Sequence, residues 1–262
     1  MARIRLDQLL VERGLARSRA EASALLLAGQ VELGGAGTRT LKPGQLVATD
    51  ADVAVVERRR WASRGGDKLE AGLNAFEVDP SGLACLDAGA STGGFTDVLL
   101  FRSARVVYAV DVGRGQLIDR LRRDPRVVSM ERTSLRELDH LPEPIDLATL
   151  DLSFISLRLV LPVVRRLLAG EGRVIALVKP QFEAGREAVP RGGVVRDPAV
   201  HREVLVQFAD DAHRAGFAAL SVIRSPVVGA EGNVEFLTLL VLGGATDGSW
   251  AGDMERAMTP MV

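Results

Sequence analysis

Apolar positions follow a helical period near the N-terminus and a strand-and-helix alternation further on, and the change divides the chain. Leu6, Leu9 and Leu10 share one face of a helix predicted over Leu6 to Arg13, with Gly14 ending it. Ser18-Arg19-Ala20-Glu21 stands directly before the apolar run 22–27. Its S-x-x-E spacing lets a hydroxyl and a carboxylate satisfy free N–H groups at a helix start, and Gly29 supplies the stop. Val31 and Leu33 alternate into a Gly34-Gly35 turn, and after Pro43-Gly44 a β segment is predicted from Gln45 to Val56. Two short helices and small strands describe a compact α+β module of about sixty residues.

Residues 57–67 (ERRRWASRGGD) are polar, basic and glycine-containing, as a hinge would be, and a helix follows from about Asp67 to Phe76. Apolar strand patterns then alternate with helical ones: 83–88, 104–111, 126–130, 145–151 and 172–179. A segment with Gly192-Gly193 precedes a helix from Pro198 to Ala215. The last apolar runs, 217–225 and 234–242, have little between them and are predicted to pair antiparallel. Five β/α units with this finish predict an α/β fold, a seven-stranded doubly wound Rossmann-like sheet beside the small module. The expected boundaries are 1–58 for the module, 59–65 for a linker and 66–244 for the large domain. Residues 245–262 show no periodicity and are expected to be a flexible tail.

Composition excludes several classes. With 47% hydrophobic and 26% charged residues the chain is globular rather than disordered. Arg165, Arg166 and Lys179 interrupt the most apolar stretches, so no membrane span is expected. The start, MARIRLDQLL, lacks an apolar h-region and carries Asp7, which argues for a cytoplasmic protein. The single Cys85, in LACLDA, reads as a buried strand thiol. His140, His201 and His213 share no metal-ligand spacing, so no metal is expected. The net charge of −1 conceals an asymmetry: residues 1–60 carry ten Lys/Arg against seven Asp/Glu, the remainder 23 against 27. A basic small module on a slightly acidic body suggests an anionic partner for the module.

The loop 86–95, LDAGASTGGF, follows the first strand of the large domain and opens a helix. Its small residues let backbone approach a ligand at a helix N-terminus. Such a turn serves dinucleotides and S-adenosylmethionine alike, and a plain glycine turn capped by an Asp is the simpler alternative. Two carboxylates argue for S-adenosylmethionine. Asp87 inside the loop would repel a pyrophosphate but attract an ammonium and a sulfonium. Asp111 ends the next strand, where it can accept the hydroxyls of an adenosine ribose. The candidate cofactor residues of the loop are Asp87, Gly89, Ala90, Ser91, Thr92, Gly93, Gly94 and Phe95, joined by Asp111.

Charged residues also stand where apolar strands end: Asp151 after IDLATL, Lys179 after VIALV, and Glu235 before FLTLLVL. The first two mark the carboxyl ends of parallel strands, where α/β sheets hold ligands, and the start of an antiparallel strand lies on the same edge. Lys68, on the helix before the first strand, can reach over it. This set suits a hydroxyl nucleophile: a lysine beside another cation can serve as base or stabilise a forming alkoxide, and carboxylates orient it. Lys179 is expected as the base, Asp151 to position Lys179 and the methyl donor, and Lys68 and Glu235 to orient a ribose. Four surface ion-pair residues are the bland alternative.

These residues carry a resemblance. Lys68–Asp151–Lys179–Glu235 is similar to the K-D-K-E set of the FtsJ/RrmJ class of RNA 2′-O-methyltransferases. SRGGDKL at 63–69, LDAGASTGGFTD at 86–97, DLSFISL at 151–157, VKPQFEAGR at 178–186 and GGVVRDP at 192–198 resemble the TlyA (hemolysin A-like) family more closely. The stretch from Arg5 to Leu33 resembles the RNA-binding domain first recognised in ribosomal protein S-four. The resemblance covers nearly the whole chain. It implies a class I methyltransferase sheet, S-adenosylmethionine as donor, and 2′-O-methylation of cytidine in small- or large-subunit ribosomal RNA by a monomer acting on that RNA or on ribosomal subunits. Ser63 and Thr133 join the expected cofactor set. Two departures are Val31-Glu32-Leu33-Gly34-Gly35, in place of V-x-V-N-G, and Ser134, where an Asn is expected near the cofactor.

Arg3, Arg5, Arg17, Arg19 and Lys42 are candidates for a phosphate-facing surface on the small module, with Arg64 and Arg136 on the large domain. Trp61 could stack on a base or pack between domains. A small-molecule O-methyltransferase leaves the basic module without a purpose. A non-catalytic rRNA-binding protein leaves the charged set without one.

Overall fold

The computed structural model describes residues 3–27, 31–34, 41–55, 60–229, 232–244 and 248–259. By contacts the chain divides into two units, Met1–Arg60 and Trp61–Val262. Gly29, Gly35, Val56, Arg58 and part of the expected linker lie outside the described residues.

In the first unit, strand β1 (Arg3–Arg5) leads into helix α1 (Leu6–Glu12). Helix α2 (Arg19–Leu27) and strands β2 (Val31–Leu33), β3 (Leu46–Ala48) and β4 (Val53–Val55) follow. β1 pairs antiparallel with β3, and β2 with β4. Leu6, Leu9, Leu10, Ala22, Leu26, Val31, Val47 and Val53 form its core. The serine half of the S-x-x-E box is made, Glu21 N–H donating to Ser18 Oγ at 3.2 Å, while the Glu21 carboxylate accepts the N–H of Arg17, one residue before the cap, at 2.6 Å. The β segment expected from Gln45 to Val56 is two strands, because the chain turns back at Ala48–Ala51. β1 has no period of its own to announce it and exists by pairing with β3.

In the second unit, helix α3 (Gly65–Ala75) precedes strand β5 (Ala84–Ala88), helix α4 (Gly94–Phe101), strand β6 (Val106–Asp111), helix α5 (Asp119–Arg122) and strand β7 (Val127–Glu131). Then come strand β8 (Ile145–Leu150), helix α6 (Leu161–Leu167), strand β9 (Leu168–Val178), helices α7 (Pro180–Glu183) and α8 (Pro198–Arg214), strands β10 (Phe217–Arg224) and β11 (Phe236–Leu242), and helix α9 (Gly248–Met258). The seven-stranded sheet runs β10-β11-β9-β8-β5-β6-β7. Strands β9, β8, β5, β6 and β7 are parallel, and β11 is antiparallel to both its neighbours. This is the expected mixed α/β sheet. β5 is buried along its whole length because helices cover both faces. One core cluster lies on each face.

Two expectations need correction. Residues 248–258, expected within a flexible tail, form α9, which packs on β10 with Trp250, Met254 and Ala257 buried along one stripe. Burying such a large side chain stabilises by about 1.5–3 kcal/mol, enough to hold a short helix down. The expected linker also ends early. α3 begins at Gly65, and Trp61 is a buried core residue of this unit, packed edge-on to Phe101 at 5.2 Å and lying over Gly66, rather than a ring free to stack on a base. Among the described residues no helix is long and apolar enough to cross a membrane.

Candidate active site

Strand β5 ends in the loop 89–93, and its glycines are there for steric reasons. Gly89 has φ +88°, and a Cβ on it would run into the Asp151 carbonyl oxygen. Gly93 has φ +100°, and a Cβ would strike Leu121. The loop is pinned to β6: Gly89 N–H and Ala90 N–H donate to the Val110 carbonyl at 2.9 and 3.2 Å. Asp111, at the end of β6, accepts Ser91 N–H at 2.8 Å on one oxygen and Gly113 N–H at 2.6 Å on the other. Ser91 itself sits at φ +47°, and its hydroxyl bonds Gln116 at 3.1 Å.

Beside this loop opens a cavity of about 420 Å³. Gly89, Ser91, Asp111, Thr133 and Asp151, all expected, line it. Arg136, expected as an RNA contact, is on its wall too. Val112, Leu135, Leu152 and Ile155 supply apolar faces that the sequence did not single out, because they project from loops and one short helical turn beyond the strand ends. The cavity volume is in the range of small-molecule sites.

Other expected cofactor residues build the back of the loop rather than the cavity wall. Ser63 Oγ accepts Gly65 N–H at 3.2 Å and fills the space that a Cβ on Gly94 would need. Phe95 is buried in the core, and the Thr92 carbonyl accepts Ile118 N–H at 3.3 Å. Asp87 corrects the expectation of direct attraction. It exposes no surface, and one oxygen accepts Thr96 N–H at 2.8 Å and Thr96 O–H at 2.6 Å. Its other oxygen, Oδ1, is buried without a hydrogen-bond partner. Burial pushes this carboxyl up to about 7, against the Thr96 hydrogen bonds and with Asp151 and Asp111 adding.

The four charged residues are gathered at one edge as two ion pairs. Lys68 Nζ meets Glu235 Oε2 at 2.5 Å, both side chains almost wholly buried. Lys179 Nζ meets Asp151 Oδ1 at 2.6 Å and donates to Ser153 Oγ at 3.1 Å. Topology explains the gathering. Asp151 and Lys179 follow parallel β8 and β9, while Glu235 precedes β11, whose Phe236 pairs with Val178. Asp151 joins its own pair, with Lys179, to the cavity. Beside it Phe154, at φ +65° and 90% exposed, lines the same cavity and packs against Phe182 at 5.1 Å between centroids. Among the described residues no His, Cys, Asp and Glu cluster could hold a metal ion.

The model of the FtsJ-like methyltransferase family matches residues 61–241. This chain belongs to the FtsJ-like methyltransferase family. A curated relative from Mycobacterium tuberculosis, the 16S/23S rRNA (cytidine-2′-O)-methyltransferase TlyA, is 46% identical over 244 residues, 91% of this chain and 90% of the relative. A candidate rRNA methyltransferase, YqxC, of Bacillus subtilis is 47% identical over 237 residues, 89% and 84% respectively. A solved structure of a candidate hemolysin from Streptococcus thermophilus superposes with a TM-score of 0.76 at 38% identity, covering 98% of this chain and 95% of that one. The chain is thus an FtsJ-like enzyme of the TlyA group, and its methyl donor is S-adenosylmethionine. The residues present fit that donor: apolar faces for a purine, the Asp111 carboxylate for hydroxyls, and Asp151 as a negative group for a cation.

In the first unit, Arg5 and Arg19 converge on Asp7. Arg5 donates to its two oxygens at 3.0 and 2.8 Å, and Arg19 donates at 3.1 Å. The Arg5 hydrogen bonds, with Arg19 assisting, hold the Asp7 carboxyl down at about 2 despite its burial. Both guanidinium groups remain partly exposed, and Arg3, Arg17 and Lys42 of the same unit are exposed as well. Arg64 is exposed at the start of α3.

Proposed function

We propose that this enzyme transfers a methyl group to the ribose 2′-hydroxyl of cytidine in ribosomal RNA, with the first unit holding the RNA. The observation that carries the reading is the Lys179–Asp151 contact, whose carboxylate lines the cavity, with the buried Lys68–Glu235 pair at the same sheet edge. The substrate is supported by the M. tuberculosis relative, which is named for cytidine-2′-O-methylation of 16S and 23S rRNA. When bound, S-adenosylmethionine supplies a sulfonium-activated methyl group to an oxygen nucleophile approaching in line.

The chain's own residues then have a defined task. Lys179 Nζ takes the proton of the 2′-hydroxyl as its oxygen bonds to carbon. Asp151 and Ser153 hold Nζ by two contacts and so fix its position for the hydroxyl. Lys68, held by Glu235, orients the ribose. Phe154, almost fully exposed at the cavity mouth, offers a ring on which a base can stack. Arg3, Arg5, Arg17, Arg19 and Lys42, with Arg64, contact phosphates. Arg136 serves the cavity or the RNA beside it. The enzyme works as a cytoplasmic monomer and without a metal.

Mapping of 2′-O-methyl marks on ribosomal RNA from cells with and without the gene tests the substrate. The mark is expected at a cytidine, and an unchanged map removes rRNA as substrate. Purified Lys179→Ala should bind RNA and donor as before yet transfer no methyl. Transfer within about tenfold of wild type, a loss of only about 1.4 kcal/mol, would remove Lys179 as the base. Chelation by EDTA should leave the rate unchanged.

A further inference from the structure

Beyond residue 60 the chain carries more acids than bases, 27 Asp/Glu against 23 Lys/Arg, yet the edge that holds the candidate site reads the other way. The segments 112–118, 152–160 and 189–196 contain Arg114, Arg158, Arg191 and Arg196 and no Asp or Glu. The first two follow β6 and β8, and the third follows β9 by way of α7, so all four arginines come to the edge of Asp151 and Lys179. From β6 to β9 is three strand spacings, about 14 Å.

All four are exposed, and none gives a side-chain hydrogen bond or enters an ion pair among the described residues. Elsewhere in the unit nine described arginines stand within 4.0 Å of an acid, on α5, α8 and α9 or in the turns that lead into β6 and β7. The edge set is therefore positive charge without a counter-charge, beside the donor cavity, on a body that is otherwise acidic.

The segment that carries two of them is held in place. Asn233 Oδ1 accepts Val195 N–H at 3.0 Å, and Asn233 Nδ2 donates to the Gly193 carbonyl at 3.0 Å. A His201 ring N–H donates to the Val195 carbonyl at 2.9 Å. Asn233 and His201 are both buried, and Asn233 stands two residues before Glu235. Arg191 and Arg196 thus flank a backbone fixed to the loop of Glu235, and a phosphate bound there has only side chains to order. The planar guanidinium fork matches phosphate oxygens.

We infer that Arg114, Arg158, Arg191 and Arg196 form a second phosphate-binding surface, on the methyltransferase unit itself, that holds the backbone of the acceptor RNA strand along the donor edge. The inference rests on RNA as the acceptor, as proposed above, and adds to it where the strand lies. Arg165 and Arg166 supply an internal control. They too are exposed and outside any ion pair among the described residues, but they end α6 directly ahead of β9, at the opposite edge.

The test uses the full-length protein and transcribed ribosomal RNA containing the mapped cytidine, with affinity measured over a range of KCl concentrations. Each phosphate contact contributes about 0.7–0.9 to the slope of log affinity against log salt. Arg191→Gln/Arg196→Gln and Arg114→Gln/Arg158→Gln should therefore each lower the slope by about 1.4–1.8. Donor affinity by calorimetry should stay as in wild type. Arg191→Lys/Arg196→Lys keeps both charges and should keep the slope. Arg165→Gln/Arg166→Gln removes the same charge from the opposite edge and should leave the slope unchanged.

A slope unchanged in either edge pair, in protein that still binds donor, overturns the inference. So does an equal fall in the opposite-edge pair, because net charge rather than place would then act, and so does a lowered slope in the lysine pair. If one edge pair no longer binds donor, the other decides alone. Wild-type protein that neither binds nor methylates this RNA would instead overturn the proposed function.

Discussion

Removing one partner of the Lys68–Glu235 pair separates its structural role from its chemical one. The two groups meet at 2.5 Å with side-chain exposures of 10% and 3%. At that depth the surviving charge has little water to turn to, so Glu235→Leu or Lys68→Met alone should cost about 3–5 kcal/mol. For a unit of this size each kcal/mol moves Tm by about 2–4 °C, so each single variant should melt about 6–20 °C lower. The double variant replaces the pair by apolar side chains of similar bulk and should recover most of that loss, to within about 1–2 kcal/mol of wild type. Methyl transfer should remain abolished in it, because no charge is left to hold the ribose.

Urea unfolding followed by tryptophan fluorescence is the assay. Trp61 and Trp250 are the only two tryptophans, and both are buried in the second unit, so the signal reports that unit alone. A change in midpoint at constant slope identifies a stability effect. Single variants costing less than about 1 kcal/mol would place the pair in water-like surroundings. A double variant whose loss equals the sum of the singles would show that the groups do not interact. Recovery of activity in the double variant would remove Lys68 and Glu235 from the chemistry.

Four further outcomes are expected. Gly89→Ala places a Cβ at φ +88° against the Asp151 carbonyl and should abolish donor binding by calorimetry; an affinity near wild type would show that the loop can shift. The Asp87 carboxyl, raised by burial to about 7, stays protonated in the folded state where the unfolded chain has already ionised it. Its contribution to stability is therefore present at low pH and lost as pH rises from about 4 through 7. Asp87→Asn should flatten that part of the stability profile in urea titrations at successive pH values, and an unchanged slope would assign it to other groups. Glu183 accepts Ser156 O–H at 2.7 Å and Leu157 N–H at 2.9 Å, tying the loop that carries Phe154 to the segment after Lys179. Glu183→Ala should raise KM for RNA by about tenfold with donor affinity unchanged, and equal effects on both would point to general unfolding. In the first unit, Arg19→Ala should weaken RNA binding and lower the slope of log affinity against log salt by about one; an unchanged slope would remove it from the phosphate contacts.

Much of the site was legible because strand ends are legible. Asp151 and Lys179 each close an apolar run, and a parallel sheet must bring such ends to one edge. Glu235 was readable by the same rule once the last two strands were taken as antiparallel. The glycines of the loop were readable as backbone needs. The partners were not. Lys68 pairs with Glu235, 167 residues away, and nothing local distinguishes that choice from Asp151. Asp87 was misplaced for a similar reason: an acid in a loop looks available, and only packing shows that Thr96 and the core enclose it. Phe154 lies in the stretch 151–157 that carries the resemblance, but its residue type did not single it out, since an exposed aromatic means nothing until the fold places it on a cavity wall. α9 was missed because its stripe of Trp250, Met254 and Ala257 spans little more than two turns, too short for a period to stand out without β10 beneath it.

By itself the sequence determined the α/β class, the seven strands of the large sheet in chain order, the glycine loop and the charges that stand at the strand ends. These follow from near-neighbour chemistry, the alternation of side chains along a strand, the steric demands of positive φ and the cost of ending an apolar run on a charge. Tertiary structure alone decided which charge meets which, and which carboxylate is buried and which faces the donor cavity. Those outcomes depend on packing between segments far apart in the chain, where a shift of one side chain exchanges a solvated group for a buried one.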